Sequence, residues 1–589
     1  MNSTDLADRD EDSESTVDDR MQQALLRQVA RSATRELKKD TKLLFGFFSA
    51  GHNVSADYLR KRQREKWFKH RAGVMQVPID SMPVVPDSVM NILRKLIPLG
   101  IVFFASSFNL TLLQNIRDAL IVTSSGAEVL PFLSAFCVLP ASIVFFVYYS
   151  SLLAHIPPRR VYYAAVGTLV SLYALFAFVL YPIHPSLHLY AAGDALRSAL
   201  PAGLHGLATL VQNWTFSLFF CFAEIWGSVC ISVLFWGLAN DVCTVDDAKT
   251  IYPLMGIAAN VGLVASGSFM KWAGTIFNAT GDIQGLLQMY VLSMIGLTGV
   301  MFATKFGIDQ LFLGPMSAED AAEAAEARKL KQLEKKNKPK PTMSERFALL
   351  TDSIKIRNLA LLVMSYSVAH RLFEFSWKGQ LRNLYPTLIE YQSVLANVSI
   401  YTGYATIAMM VMGRFVFDYF GWGFAALATP LVMLLSGGFF FASSLAPRLT
   451  EVVPMLAGLD PAWLLTAGAL AGCVTQVFAR SAKFSLFDPA KEMVYIEMSK
   501  EEKGRGKAAV DLVGAQVGKS GGAWITQALL LMTGTLSQSL PFVMAAFTGI
   551  IVVWIRSART LETEMLRTEE ARMSMMDDED MGEGEAALA

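Results

Sequence analysis

VLPFLSAFCVLPASIVFFVYYSSLL, residues 129–153, holds no acidic or basic side chain. A bilayer core is crossed by about 20 consecutive apolar residues in helical form, so this stretch is long enough to span one. Eleven further candidates lie around it, at 96–115, 161–183, 214–240, 252–272, 286–305, 358–377, 394–413, 423–445, 463–480, 508–534 and 539–557. In lipid the backbone has to satisfy its own hydrogen bonds, which predicts helices. A barrel is excluded, because its strands run to about 9–11 residues with alternating polarity. The segments at 358–377, 463–480 and 508–534 carry polar residues and are the weakest on hydropathy.

The whole chain agrees with that reading. Of its 589 residues, 53% are hydrophobic and 17% charged, against about 25% charged in a soluble chain. Formal net charge is zero, so no global basic field points to nucleic acid. The five cysteines form no CxxC pair, which predicts neither a disulfide framework nor a metal site. The opening MNSTDLADRDEDSESTVDDR is acidic, unlike a secretory signal or a transit peptide. Asn278-Ala-Thr280 matches a glycosylation sequon, a pattern common by chance.

The predicted class is an all-α polytopic membrane protein of about 12 transmembrane helices in two six-helix halves, major-facilitator-like. Residues 1–90 read as a partly disordered cytosolic leader, 91–305 as the N-terminal half and 306–357 as a charged connector. Residues 358–557 read as the C-terminal half and 558–589 as an acidic disordered tail. Lysine and arginine gather in 60–71 (RKRQREKWFKHR), 157–160, the connector and 480–507, while the alternate loops hold few. That bias places both termini and the connector on the cytosolic-equivalent side.

Ionisable residues at membrane depth cost about 2.5–3.5 kcal/mol each on insertion scales and are functional candidates by default. Arg117 and Asp118 close the first segment, and Glu224 sits inside the fourth with no partner nearby in sequence. Lys249 opens the fifth, near Asn240 and Asp241. Arg371, Glu374 and Lys378 fall at i, i+3 and i+7 in the seventh and share one helical face. Lys507 and Asp511 are four apart in the eleventh, followed by Lys519 among Gly518, Gly521 and Gly522. Each has a plain structural alternative, such as a helix-end ion pair or a salt bridge between halves. If all line one chamber, six cations face four carboxylates, and a multiply charged anion would neutralise the surplus. GKSGG is not a phosphate loop, since Gly514 precedes Gly518 by four residues where the motif needs five, and no strand precedes it.

The stretches KLIPLGIVFF, RDALIVTSSGAEVLPFL, VLFWGLANDVCTVDDAKTIYPLMGIAANVG, FEFSWKGQLRNLYP and FDPAKEMVYIEMSKEEKGRGKAAVDLVGAQVGKSGG resemble the ATP:ADP antiporter family. These are the nucleotide transport proteins of plastids and obligate intracellular bacteria. The resemblance covers roughly residues 90–557, and its last stretch is long and specific. It implies a twelve-helix carrier that exchanges ATP for ADP, in some members with phosphate, working as a monomer without a cofactor. Some relatives instead import nucleotides with protons. The family's charged positions fall on Arg117, Glu224, Glu374, Lys507 and Lys519; of the remaining membrane charges, Asp118, Lys249, Arg371, Lys378 and Asp511 are read from the sequence as gating or secondary candidates. At Arg117 the family motif carries lysine, so a planar fork replaces a point charge. The aromatics Trp377, Phe375 and Tyr252 are candidates for stacking on a base. The resemblance suggests a plastid envelope, which the acidic leader does not support; another intracellular membrane, or the plasma membrane, also fits the chain. A proton-coupled anion importer, and a scaffold that has lost transport, are the competing readings.

Overall fold

The structure, a computed structural model, describes residues 87–312, 353–452, 460–496, 498, 510 and 515–588. The leader, most of the connector, Lys507 and Asp511 lie outside the described residues. The described residues are helical apart from short turns, bends and irregular connections, and no strand occurs among them.

The first six long helices among the described residues are α1 (Asp87–Ser125), α2 (Val129–His155), α3 (Arg159–Leu180), α4 (Trp214–Val242), α5 (Val245–Asn278) and α6 (Ile283–Phe312). The second six begin with α7 (Ile354–Leu384). A helical run over Leu388–Val432 breaks at Gly421, whose φ of 78° is open to glycine at no steric cost. That break separates α8 (388–420) from α9 (422–452). The set is completed by α10 (461–496), α11 (Ala515–Thr533) and α12 (Leu536–Leu588). Ten of the twelve are long and apolar enough to cross a membrane by composition. The exceptions are α7 and α11, two of the three segments weakest on hydropathy.

The two sets meet along α5 and α8 on one side and along α2 and α11 on the other. Glycine sets the first contact: a Cβ at Gly267 would lie 2.7 Å from the Ala396 carbonyl oxygen, and one at Gly403 would lie 2.9 Å from that of Asn260. A Cβ at Gly262 would approach the Phe104 carbonyl of α1 to 2.7 Å. Small residues let helix backbones close to van der Waals distance, which drives packing where no water is expelled.

Several boundaries depart from the sequence reading. Arg117 and Asp118 do not end α1; the helix continues to Ser125, because Ala119, Leu120, Ile121 and Val122 are all buried. The expected loop at 480–507 is helical as far as Ile496 through a π-helical turn at Lys483–Phe487. Phe487, Val494 and Tyr495 are buried there, and Trp422 Nε1 donates to the Ala490 carbonyl at 2.9 Å. The tail expected to be disordered continues α12 to Leu588. Its Glu-, Arg- and Met-rich composition favours helix, and Arg567 pairs with Glu564 at 3.1 Å. The loop at 184–213 also folds, with helices at Tyr190–Ala199 and His205–Gln212.

The bundle therefore has a connector end, where α6 stops and α7 starts, and a short-loop end, where α1 meets α2 and α7 meets α8.

Candidate functional site

A chain of ion pairs crosses the middle of the bundle. On α1, Arg117 Nη1 pairs with Glu224 Oε2 of α4, and Arg117 Nε lies 3.4 Å from Asp118 Oδ1. The guanidinium also lies over the Phe220 ring, 4.5 Å from its centroid. Asp118 Oδ2 accepts from Lys378 Nζ of α7 at 2.8 Å, which joins the two helix sets. Lys378 Nζ donates equally to Glu374 Oε1 at 2.8 Å. Glu374 further accepts from Arg371 Nη1 at 3.1 Å and from Arg480 Nη2 of α10 at 3.3 Å. The order is Glu224, Arg117, Asp118, Lys378, Glu374, then Arg371 and Arg480.

The helices hold these groups for local reasons. On α7, the neighbours Leu372, Phe373, Phe375 and Trp377 are buried, so the charged stripe at 371, 374 and 378 occupies the remaining face. Phe373 packs on Phe440 with centroids 5.2 Å apart. α11 lies backbone-close on α7: a Cβ at Gly518 would sit 2.6 Å from Ser367 Cβ, and one at Gly522 would sit 2.7 Å from Arg371 Cβ. The glycines around Lys519 thus serve close helix approach, and they bring its backbone alongside the charged stretch of α7. The side chains of Lys519 and Lys249 lie outside the described residues.

Among the described residues seven charged side chains take part, four cations and three carboxylates, which leaves one positive charge over within that described set. Removing charges from water costs several kcal/mol per ion, which the attraction and hydrogen bonds of a good pair only about repay. Arg117, Asp118, Glu374 and Lys378 are buried, whereas the side chains of Glu224, Arg371 and Arg480 are 32%, 26% and 34% exposed. On α7, exposed Arg371 lies nearer the connector end than buried Lys378. The wet edge of the network therefore faces the connector end.

The short-loop end is latched by hydrogen bonds between the sets. Gln527 Nε2 donates to the Pro131 carbonyl at 2.9 Å, the Leu536 N–H to Glu128 Oε1 at 3.3 Å, and Arg382 Nη2 to the Thr123 carbonyl at 3.4 Å.

Sequence reasoning found Arg117, Asp118, Glu224, Arg371, Glu374 and Lys378, and the structure brings all six together. It missed Arg480, assigned to a loop because the apolar segment was ended there. The apolar FSLF at 484–487 was the signal that the helix continues. It also missed Phe220, one helical turn before Glu224. The stacking candidates fare differently. Trp377 and Phe375 are 1% and 2% exposed, and Trp377 Nε1 faces the Ala469 carbonyl at 3.4 Å, so both are helix-packing residues. Tyr252 packs edge-on against Trp236 and donates to Asn240 Oδ1 at 2.6 Å.

Residues 86–565 match the TLC ATP/ADP transporter family. The plastidic ATP/ADP-transporter of Solanum tuberosum is 37% identical over 488 residues, 81% of this chain and 74% of that protein. ADP,ATP carrier protein 1 of Chlamydia trachomatis is 35% identical over 490 residues, 82% of this chain and 91% of that one. The chloroplastic ADP,ATP carrier protein 1 of Arabidopsis thaliana is 36% identical over 483 residues, 81% and 75% of the two chains. Among solved structures, a bacterial homologue of the iron transporter ferroportin aligns at TM-score 0.48 and 13% identity over 79% of this chain and 99% of that one, too remote to bear on substrate. With a charged network joining two six-helix sets, and a family match from the start of α1 into the extension of α12, the chain belongs to the TLC ATP/ADP transporter family.

Proposed function

We propose that this protein exchanges ATP for ADP across an intracellular membrane by alternating access, with the ion-pair network as its polyphosphate site. The observation that carries this reading is the buried Asp118–Lys378 bridge between the two helix sets, within a network that keeps one surplus cation. Arg117, Lys378, Arg371 and Arg480 offer donors to phosphate, and Arg forks match phosphate oxygens two at a time. Glu224 and Glu374 hold those cations while no substrate is present. Lys507 and Lys519, carried by the motifs GKAAVD and GKSGG, complete the phosphate-binding set. Lys249 and Asp511 act at its margin. No bond is broken.

Exchange follows from the same charges. When the empty carrier switches, Lys378 gives up its bridge to Asp118 and keeps Glu374, and losing a buried charge-assisted hydrogen bond costs about 2 kcal/mol. A bound polyphosphate supplies a new partner for Lys378 and lowers that barrier. Transport is then obligatorily coupled to a returning nucleotide. We place the protein as a monomer in a plastid envelope or other organelle membrane, with the connector on the cytosolic side, which a tagged protein would locate.

The test uses proteoliposomes. Internal ADP should accelerate labelled ATP uptake, and Lys519→Gln should depress it strongly. Uptake that ignores internal nucleotide but follows an imposed pH gradient would replace exchange with proton-coupled import, with the partly exposed Glu224 as the proton site. Full uptake by the Lys519→Gln protein would remove that lysine from the phosphate site.

A further inference from the structure

A charged cavity lies at the short-loop end, lined by none of the residues of the network. It has a volume of about 680 Å³, within the roughly 300–1,000 Å³ usual for small-molecule sites. Its lining includes Arg197, Arg382, His184, His188, His205 and a single carboxylate, Glu128.

The cavity is built by the folded segment between α3 and α4. A Cβ at Gly193 would lie 2.7 Å from Gln212 Cβ, so the helices Tyr190–Ala199 and His205–Gln212 pack closely. A Cβ at Gly203 would lie 2.2 Å from the Leu530 carbonyl oxygen, which seats the segment on α11 of the other set. Arg197 rides on this segment and donates to Thr209 Oγ1 at 3.2 Å. Arg382 comes from the last turn of α7. Neither arginine is ion-paired among the described residues. Glu128 instead accepts from the Leu536 N–H. His188 bonds Thr215 Oγ1 through Nε2 at 2.7 Å; burial, then His184, lowers its pKa to about 4. His184 Nδ1 donates to the Tyr181 carbonyl at 2.5 Å, and His205 Nε2 to that of Leu200 at 3.2 Å. Leaving the imidazoles aside, the lining sets two guanidiniums against one engaged carboxylate.

We propose that this cavity is a vestibule that captures the polyphosphate of a nucleotide at the short-loop face, before it passes to the network or after it leaves. The proposal rests on the nucleotide-exchange reading above and gives it a second, sided binding site. Arg197 belongs to the first helix set and Arg382 to the second, so a di- or triphosphate bound to both spans the junction that opens. The capture is electrostatic, and charged clefts raise on-rates about 10- to 1,000-fold in a salt-dependent way.

The experiment compares wild type with the double variant Arg197→Gln/Arg382→Gln in proteoliposomes of uniform orientation. Expected is a KM for ATP at the short-loop face raised about tenfold, the low end of that electrostatic range. The KM at the connector face should stay within about twofold, and the salt dependence at the short-loop face should flatten. The charge-preserving Arg197→Lys/Arg382→Lys protein should recover most of the capture. An unchanged KM at the short-loop face, or an equal rise at both faces, overturns the vestibule. A second measurement is independent of transport: ATP binding to detergent-solubilised Lys378→Gln protein, with and without the two arginine substitutions. Weak binding that disappears with the arginines supports the vestibule even if wild type fails to exchange, which would sink only the exchange reading. An ATP affinity that their loss leaves unchanged overturns the vestibule.

Discussion

Neutralising either end of the Asp118–Lys378 bridge should open the short-loop end of the empty carrier. Lys378 Nζ lies 2.8 Å from both Asp118 Oδ2 and Glu374 Oε1, and its side chain is 4% exposed. In Asp118→Asn the lysine keeps Glu374, so one buried charge-assisted hydrogen bond is lost, about 2 kcal/mol. In Lys378→Gln two carboxylates lose their shared cation. Glu374 retains Arg371 and Arg480, but Asp118 keeps only Arg117 Nε at 3.4 Å. The cost there is about 3 kcal/mol, the low end for a stranded buried charge. The double variant strands nothing further, so it should cost about 3 rather than about 5 kcal/mol, a coupling of about 2 kcal/mol. Because the pair joins the two sets, the loss falls on the closed short-loop state, whose share should drop roughly a hundredfold in Lys378→Gln. Ser376 reports it: the residue is buried and lines a small cavity at that end with Gly379 and Leu536. In a protein freed of its five native cysteines, Ser376→Cys should label slowly from the short-loop side. It should label far faster once Lys378 is Gln, and nucleotide efflux should lose its need for external nucleotide. Unchanged labelling, or single-variant costs that simply add, would refute the bridge as the latch.

Glycine packing gives a paired prediction: Gly522→Ala forces a contact of 2.7 Å on Arg371 Cβ and should cost about 1–3 kcal/mol with reduced exchange. Gly521→Ala meets Val368 at an ordinary 3.5 Å and should melt like wild type; equal losses in the two proteins would contradict this packing. Arg117→Lys keeps the charge but gives up the fork and the Phe220 stacking, so it should raise the nucleotide KM several-fold while exchange persists, whereas Arg117→Gln should abolish exchange. His188 is held neutral down to about pH 4, against 6.5 for an ordinary histidine. Between those values the unfolded chain binds the extra proton, so stability falls as pH drops through that window. Thermal melts at pH 7 and pH 5 should show a fall that His188→Asn lessens; an equal fall in both proteins would assign the acid sensitivity elsewhere.

Much of the architecture was legible because lipid removes options. A stretch such as 129–153 has no other way to satisfy its backbone, and the charged connector divides the helices six and six. α7 and α11 are less apolar than the other long helices for the reason that makes them central: α7 spends a face on Arg371, Glu374 and Lys378, and α11 carries the glycines that fit against it. The boundaries at Arg117 and Arg480 were misplaced because each charge was read as the end of an apolar run. In the bundle each has a carboxylate partner, so the helix passes through it.

The sequence by itself determined the helical membrane class, the two sets of six, and the α7 stripe. These follow from the length and number of the apolar runs, from the charged connector between them, and from pairs within four residues of one another. Only the tertiary structure decided that Glu224 belongs to Arg117, that Asp118 reaches Lys378 across 260 positions, and that Arg480 completes the cluster on Glu374. Opposite charges cancel over a few ångströms of space, and helical spacing fixes such distances only within one helix. Between helices they are set by how closely glycines such as Gly267, Gly403 and Gly522 allow the backbones to approach.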